Sequence, residues 1–172
     1  MKIYKNKFKD MLIFKSKKFK DKRGYFRELF LEKYIKKKLI FTVVSKSKKN
    51  VLRGMHMQKK RMQGKYVSVI KGKILDVVID CRKKSKTFGK HFKIILSDKN
   101  ATSLYIPPGF AHGFLSIEKD NIVVYSCTNY RDANSEISIS WNDKNLGIKW
   151  PVKDPLVSKK DSMSSPFNNF FI

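Results

Sequence analysis

The stretch KYVSVIKGKILDVVIDC, Lys65 to Cys81, decides the fold. Two β-branched runs flank Lys71-Gly72-Lys73, which reads as a hairpin with the glycine in the left-handed position. Further short β-rich runs follow at His91 to Leu96, Thr102 to Ile106, Asn121 to Thr128 and Ile137 to Trp141. Turn signals such as Ser97-Asp98-Lys99-Asn100 and Pro107-Pro108-Gly109 separate them. A doubly wound α/β fold needs a helical crossover of roughly ten residues or more between strands, and these connections have no room for one. The spacing therefore predicts an all-β sandwich or barrel. One short N-terminal helix is expected at Leu31 to Leu39. The tail after Trp150-Pro151, rich in Ser, Pro and Asn, is expected to be an irregular wrap with Phe170-Phe171-Ile172 docked on a surface. With 172 residues, 41% of them hydrophobic, the chain supports one core, so residues 1–172 read as a single domain.

Charge is the most unusual feature of the composition. Lys and Arg number 39 against 14 Asp and Glu, a net charge of +25. A balance of this size is the usual footprint of nucleic-acid binding. The lysines, however, are spread along the whole chain, with no basic helix, no zinc-finger spacing and no aromatic-basic RNA motif. Dispersed lysine enrichment is the better reading, and a cleft for a small polyanion such as a nucleotide diphosphate also fits. The N-terminal segment MKIYKNKFKDMLIFKSKKFK scatters charges through its apolar residues, and no stretch reaches the length of a membrane span. A cytoplasmic protein with no membrane and no nucleic-acid partner is expected. Cys81 and Cys127 lie in apolar strand-like contexts without CxxC spacing and read as buried thiols.

Several residues have the chemistry of a catalytic site. In VLRGMHMQ, residues 51–58, strict alternation puts Leu52, His56 and Gln58 on one face unless a bulge at Gly54 resets the register. Turned into a barrel, His56 is a candidate general base that needs a partner for its other ring nitrogen; alone, it could equally be a structural histidine. The His-x-His pair of metal-binding barrels is broken here by Gln58, so metal-free chemistry is favoured. In IPPGFAHGF, residues 106–114, prolines and glycines make a rigid turn that would hold His112 at a barrel mouth. Tyr125 sits on a strand, either as core or as a proton donor. Asp161, in SKKD, is either a solvated turn residue or a carboxylate folded back onto a histidine.

Together these segments resemble the dTDP-4-dehydrorhamnose 3,5-epimerase family. The pieces occur in order: DKRGYFRELF (21–30), SKSKKNVLRGMHMQ (45–58), QGK (63–65), DVVIDCRKKSKTFGK (76–90), IPPGFAHGF (106–114), VVYSCTNY (123–130), WNDKNLGIKWP (141–151) and SKKD (158–161). The resemblance implies a cupin-type jelly roll, a double-stranded β-helix, working as a homodimer on a nucleotide-diphosphate sugar without metal or cofactor. It implies that His56 removes a proton from a carbon beside the C4 ketone of a 6-deoxy sugar, that Asp161 orients His56, that Lys65 supports the enolate, and that Tyr125 is the proton donor. Arg23, Phe26, Glu28, Arg53, His112, Arg131, Glu136 and Lys160 match substrate-contacting positions.

Some positions depart from the family pattern. Phe41-Thr42-Val43-Val44 stands where Gln-x-Asn-His is usual, Arg131 stands in place of a second tyrosine, and Met57 replaces an aromatic residue. The catalytic set is kept while the recognition set has drifted. An epimerase inverting C3, C5 or both is therefore expected, with the nucleotide and sugar open. A sugar-binding jelly roll without turnover, a ketoisomerase on the same fold and a nucleic-acid-binding protein are the alternatives. A pure binder has no need for a base, an acid and an orienting carboxylate together.

Overall fold

The structure, a computed structural model, describes residues 1–171. Two antiparallel sheets face each other. One has the spatial order β1 (Lys2–Lys5), β2 (Leu12–Lys15), β10 (Thr102–Ile106), β7 (Lys65–Lys71), β12 (Asp120–Cys127) and β5 (Phe41–Lys48). The other runs β13 (Glu136–Ser138), β6 (Leu52–Gln58), β11 (Phe110–Ser116), β8 (Lys73–Asp80) and β9 (His91–Ser97). A separate hairpin pairs β3 (Lys18–Asp21) with β4 (Gly24–Arg27). This is an all-β jelly roll, within the sandwich-or-barrel class that the spacing of the short strands predicts and of the kind that the family resemblance implies.

Alternation along the strands builds the core. Val67 and Val69 of β7, Leu104 of β10 and Val123 of β12 meet Ile74 and Val78 of β8, Leu96 of β9, and Phe110 and Phe114 of β11 between the sheets. Each such side chain contributes about 1.5–3 kcal/mol on burial. The odd-numbered partners on β8, Leu75, Val77 and Ile79, point to the far face, where Ile139, Leu146, Ile148, Trp150, Phe167, Phe170 and Phe171 cover them. The C-terminal tail is thus an irregular wrap, with two short helices among the described residues, α1 (Lys159–Ser162) and α2 (Asn168–Phe171). Phe170 and Phe171 are docked as expected, and Ile172 lies outside the described residues. Cys81 and Cys127 are free and buried.

Two expectations are corrected. The runs around Gly72 are strands, and Gly72 has φ +85°, but β7 and β8 do not pair: the chain turns a corner from one sheet into the other. A Cβ at Gly72 would sit 2.6 Å from Asn121 Oδ1, and Asn121 Oδ1 accepts the Lys73 N–H at 3.0 Å, so the corner is closed by β12. No local pattern distinguishes such a corner from a hairpin, because both need one left-handed residue between two apolar runs. The second correction concerns the helix at Leu31 to Leu39, which is a single 3-10 turn at Glu32–Tyr34 preceded by Leu31, a residue that cannot cap it. Phe30, Tyr34, Ile35 and Leu39 instead spread over the outer face of the first sheet, on Phe14, Tyr66 and Tyr105. Among the described residues, no helix is long and apolar enough to cross a membrane.

Candidate active site

The local geometry of β6 sets the site. His56 lies opposite His112 on β11, yet Arg53 lies opposite Phe114, so two residues of β6, Gly54 and Met55, face Gly113 alone. This bulge brings two backbones into contact. A Cβ on Gly54, whose φ is +119°, would be 2.5 Å from Gly113 Cα and 2.7 Å from the His112 carbonyl oxygen. The bulge resets the alternation. Arg53 and His56 both border the cavity, whereas Leu52, Met55 and Met57 belong to the apolar cluster on the far face of the sheet, Leu52 reaching only the rim of the cavity and Met57 that of the compartment beside it. Leu52 therefore does not share the face of His56, contrary to strict alternation.

A cavity of about 430 Å³ lies between the sheets, bordered by Arg53, His56, Lys65, His112, Tyr125 and Asp161. A smaller compartment of about 130 Å³ adjoins it, and the two share His56, Lys65 and Tyr125. The open end of the jelly roll thus gathers side chains from β6, β7, β11, β12 and the tail.

His56 Nε2 lies 2.5 Å from Asp161 Oδ1. Burial works to raise the Asp161 pKa, but the hydrogen bond and charge of His56, the Ser158 hydroxyl and the Gly54 amide outweigh it, so the carboxyl stays below its ordinary value. An ionised Asp161 can only accept, so Nε2 must carry the proton, which leaves Nδ1 of a neutral ring as the basic nitrogen. Asp161 owes its place to α1, whose first turn is capped by Ser158: its hydroxyl oxygen accepts the Asp161 N–H at 3.1 Å.

A second histidine–carboxylate pair is buried in the wall. His112 Nε2 is 2.9 Å from Asp76 Oδ2, and Asp76 is fully buried with Oδ1 unpartnered. Asp76 was not singled out from the sequence. Its signal is a carboxylate between Ile74 and Val78, on the inward-facing positions of an apolar strand.

Lys65 and Tyr125 enter from the opposite sheet. Desolvation lowers the Lys65 pKa, while Cys127, Glu136 and Asp76 pull it back up. Burial raises the Tyr125 pKa, with Cys127 and Glu136 adding to the rise and Arg53 and Arg131 opposing it, so the phenol keeps its proton at neutral pH. Arg53 donates from Nε to Ser47 Oγ at 3.0 Å and from Nη2 to the Lys46 carbonyl at 3.2 Å, which holds its guanidinium at the mouth.

The smaller compartment carries the departures in recognition. Phe41, Val43 and Cys127 make an apolar wall, and Phe41 is stacked on Tyr130 with ring centroids 5.8 Å apart. Opposite stand Arg131 and Glu136. Burial would raise the Glu136 pKa, but Arg131 and Lys160 prevail and hold it below the ordinary value. Lys160 borders neither compartment and instead reaches Glu136 at 3.1 Å. Arg23, Phe26 and Glu28 are not brought to the cavity of their own chain. Arg23 is 90% exposed on its side chain and pairs with Asp21, Phe26 is 68% exposed, and Glu28 is exposed. Among the described residues, no three His, Cys, Asp or Glu side chains gather into a metal-binding group.

A base with an orienting carboxylate, a phenol that keeps its proton and a desolvated ammonium around one cavity can move a proton off and onto carbon beside a carbonyl. The dTDP-4-dehydrorhamnose 3,5-epimerase family model matches residues 5–169. The dTDP-4-dehydrorhamnose 3,5-epimerase of Shigella flexneri is 41% identical over 97% of this chain and 96% of its own length. The crystal structure of dTDP-6-deoxy-D-glucose-3,5-epimerase from Legionella pneumophila, in complex with dTDP-4-keto-L-rhamnose, superposes with a TM-score of 0.94 at 36% identity, covering 98% of this chain and 94% of that one. A 3'-monoepimerase from Streptomyces bikiniensis, in complex with dTDP-quinovose, is more distant at 28% identity and a TM-score of 0.86, over 92% of this chain and 84% of its own. Given a family match over nearly the whole chain and a site with the matching chemistry, this protein belongs to the dTDP-4-dehydrorhamnose 3,5-epimerase family.

Proposed function

We propose that the chain epimerises a dTDP-linked 4-keto-6-deoxy sugar at C3 and C5, the reaction named for its relatives from Shigella and Legionella. The observation that carries this reading is the His56–Asp161 pair facing a cavity shared with Lys65 and Tyr125. A ketone at C4 acidifies the C–H bonds on either side by delocalising the carbanion onto oxygen. His56 Nδ1 takes the proton, Asp161 stabilises the imidazolium that forms, and the Lys65 ammonium meets the enolate oxygen. Tyr125, across the cavity on the other sheet, returns a proton to the opposite face of the carbon. One proton leaves and one arrives at each inverted centre; the ketone stays at C4 and no electrons are transferred. Arg53 suits the diphosphate, since a guanidinium donates to two phosphate oxygens at once.

The unit that acts is proposed to be a homodimer. Phe19, Tyr25 and Phe26 on the β3–β4 hairpin are 51%, 47% and 68% exposed, an aromatic surface suited to burial against a second copy. Such docking would also give Arg23 and Glu28 a route to a substrate that their own chain does not provide.

A second reading is supported by the Phe41/Val43 wall and Arg131: epimerisation at one centre only, as named for the Streptomyces bikiniensis relative. Deuterium exchange followed by NMR in D2O on dTDP-4-keto-6-deoxyglucose tests both. Exchange at C3 and C5 that is lost in His56→Ala supports the main reading. Exchange at C3 alone favours the second, and silence with dTDP-, GDP- and CDP-linked keto sugars refutes both.

A further inference from the structure

The dyad carboxylate stands on weak local structure. Helix α1 is four residues long, far too short to persist by its own hydrogen bonds, so the position of Asp161 is set by what α1 is tied to. On its inner side the Ser158 hydroxyl oxygen accepts the Asp161 N–H at 3.1 Å, and Ser164 donates from its hydroxyl to the Asp161 carbonyl at 2.7 Å while its own carbonyl accepts from Ser140 Oγ at 2.8 Å. On its outer side one side chain reaches another strand: Lys160 Nζ lies 3.1 Å from Glu136 Oε2.

Glu136 is well placed to anchor that contact. It lies opposite Gln58 on β6, and two residues further along Ser138 lies opposite His56, so the anchor and the base share one two-stranded ladder. The Glu136 side chain is only 14% exposed. Its Oε2 accepts from Arg131 Nε at 3.2 Å and Nη2 at 2.8 Å as well as from Lys160. All three donors converge on one oxygen. The carboxylate is thereby turned toward the two cations, and Arg131, itself 66% exposed, fixes its rotamer from the cavity side.

We infer that Glu136 is a positioning residue of the epimerisation reaction, acting through Lys160 to hold α1, and with it Asp161, at the distance from His56 that the proton transfer needs. This rests on the proposed reaction. The reasoning is geometric: the brace joins the strand that pairs with the base's strand to the helix that carries its partner, so losing it frees one end of the dyad. A displacement of about 1 Å in a catalytic group can cost on the order of 100-fold in rate. The inner ties remain, so a loss of about tenfold is expected. The negative charge of Glu136 adds to the effect by favouring the protonated form of Lys65.

The test is steady-state kinetics and solvent-deuterium exchange for wild type, Lys160→Met, Lys160→Arg, Glu136→Gln and the Lys160→Met/Glu136→Gln double variant. Lys160 is about half exposed, so its variants should fold, and a thermal melt on each checks this. The expected result is a roughly tenfold drop in kcat for Lys160→Met with KM within about threefold of wild type. Lys160→Arg should recover most of the rate, and the double variant should be no slower than the slower single one, because both changes break one contact. A raised KM with kcat unchanged would make Lys160 and Glu136 direct substrate contacts and overturn the inference, as would multiplicative losses in the double variant. Silence of the wild type would refute the underlying reaction instead, so the two failures are separable.

Discussion

At the scale of single residues, the site depends on protonation states that its neighbours impose. Asp161 stays ionised because hydrogen bonds to its charged form outweigh its burial, and that fixes which nitrogen of His56 is basic. Asp161→Asn keeps the shape but can present an amide N–H to Nε2, which would then need to be the unprotonated nitrogen and leave Nδ1 without its basic lone pair. Turnover is expected to fall by about 10²- to 10⁴-fold, the range for general acid–base groups, with substrate affinity from inhibition or calorimetry little changed. Tyr125→Phe should separate the half-reactions. Exchange of substrate protons with solvent through His56 should persist while formation of the inverted product drops at least about 100-fold; equal loss of both would show that Tyr125 is not the donor. Much of this constellation was legible in the sequence through ordered motifs around His56, Lys65, Tyr125 and Asp161. Asp76 was not, because a single acidic residue in an apolar strand shows its partner only when β8 and β11 are paired and His112 comes within 2.9 Å.

At the scale of elements, two close contacts hold the strands that carry the site. Gly54 and Gly113 let β6 and β11 touch beside both histidines. Gly113→Ala would put a Cβ 2.6 Å from Met55 Sδ and 2.7 Å from the Arg53 carbonyl oxygen, and the latter is backbone that cannot move cheaply. A cost of about 1–3 kcal/mol in urea unfolding is expected, with a loss of turnover larger than the loss of folded protein. The second contact closes β8. Fully buried Asp80 binds Arg82 Nε and Nη2 at 2.8 Å each and accepts from Ser85 and Thr87 at 2.6 Å. Burial alone would raise its pKa, but these donors bring it down to about 2 from the usual 3.8. A carboxyl lower in the folded than in the unfolded state stabilises fully above the unfolded value, and that stability is lost as pH falls through the folded one. Wild type should therefore lose stability between pH 3.8 and about 2, and Asp80→Asn should show a shallower acid limb in pH-dependent urea melts. The strand runs themselves could be read from alternation. The partner of each strand could not, and Gly72 shows why: the same local signal serves a hairpin and a corner between sheets.

At the scale of the whole molecule, the exposed aromatic residues are the surface that the proposed dimer would bury. The β3–β4 hairpin forms a two-stranded sheet of its own among the described residues and carries Phe19, Tyr25 and Phe26 at its surface. A Phe19→Ser/Phe26→Ser variant is expected to shift from dimer to monomer in sedimentation, with the fold intact by circular dichroism and activity strongly reduced. A monomeric wild type would refute the proposed dimer.

The order of short apolar runs was enough to specify an all-β sandwich or barrel, because period-two alternation with no room for crossovers leaves few other ways to bury these residues, and the jelly roll itself followed from the family resemblance. The ordered motifs were enough to assign the family, because chemistry at a shared site constrains residue identity at set positions. Tertiary structure alone decided the rest. The bulge at Gly54 turned Leu52 away from His56, the Phe14–Tyr66–Tyr105 surface drew residues 30–39 out of a helix, and the pairing of β8 with β11 set Asp76 against His112. Each of these is settled by contacts between residues far apart in sequence, whose energies exceed the local preferences that a linear pattern records.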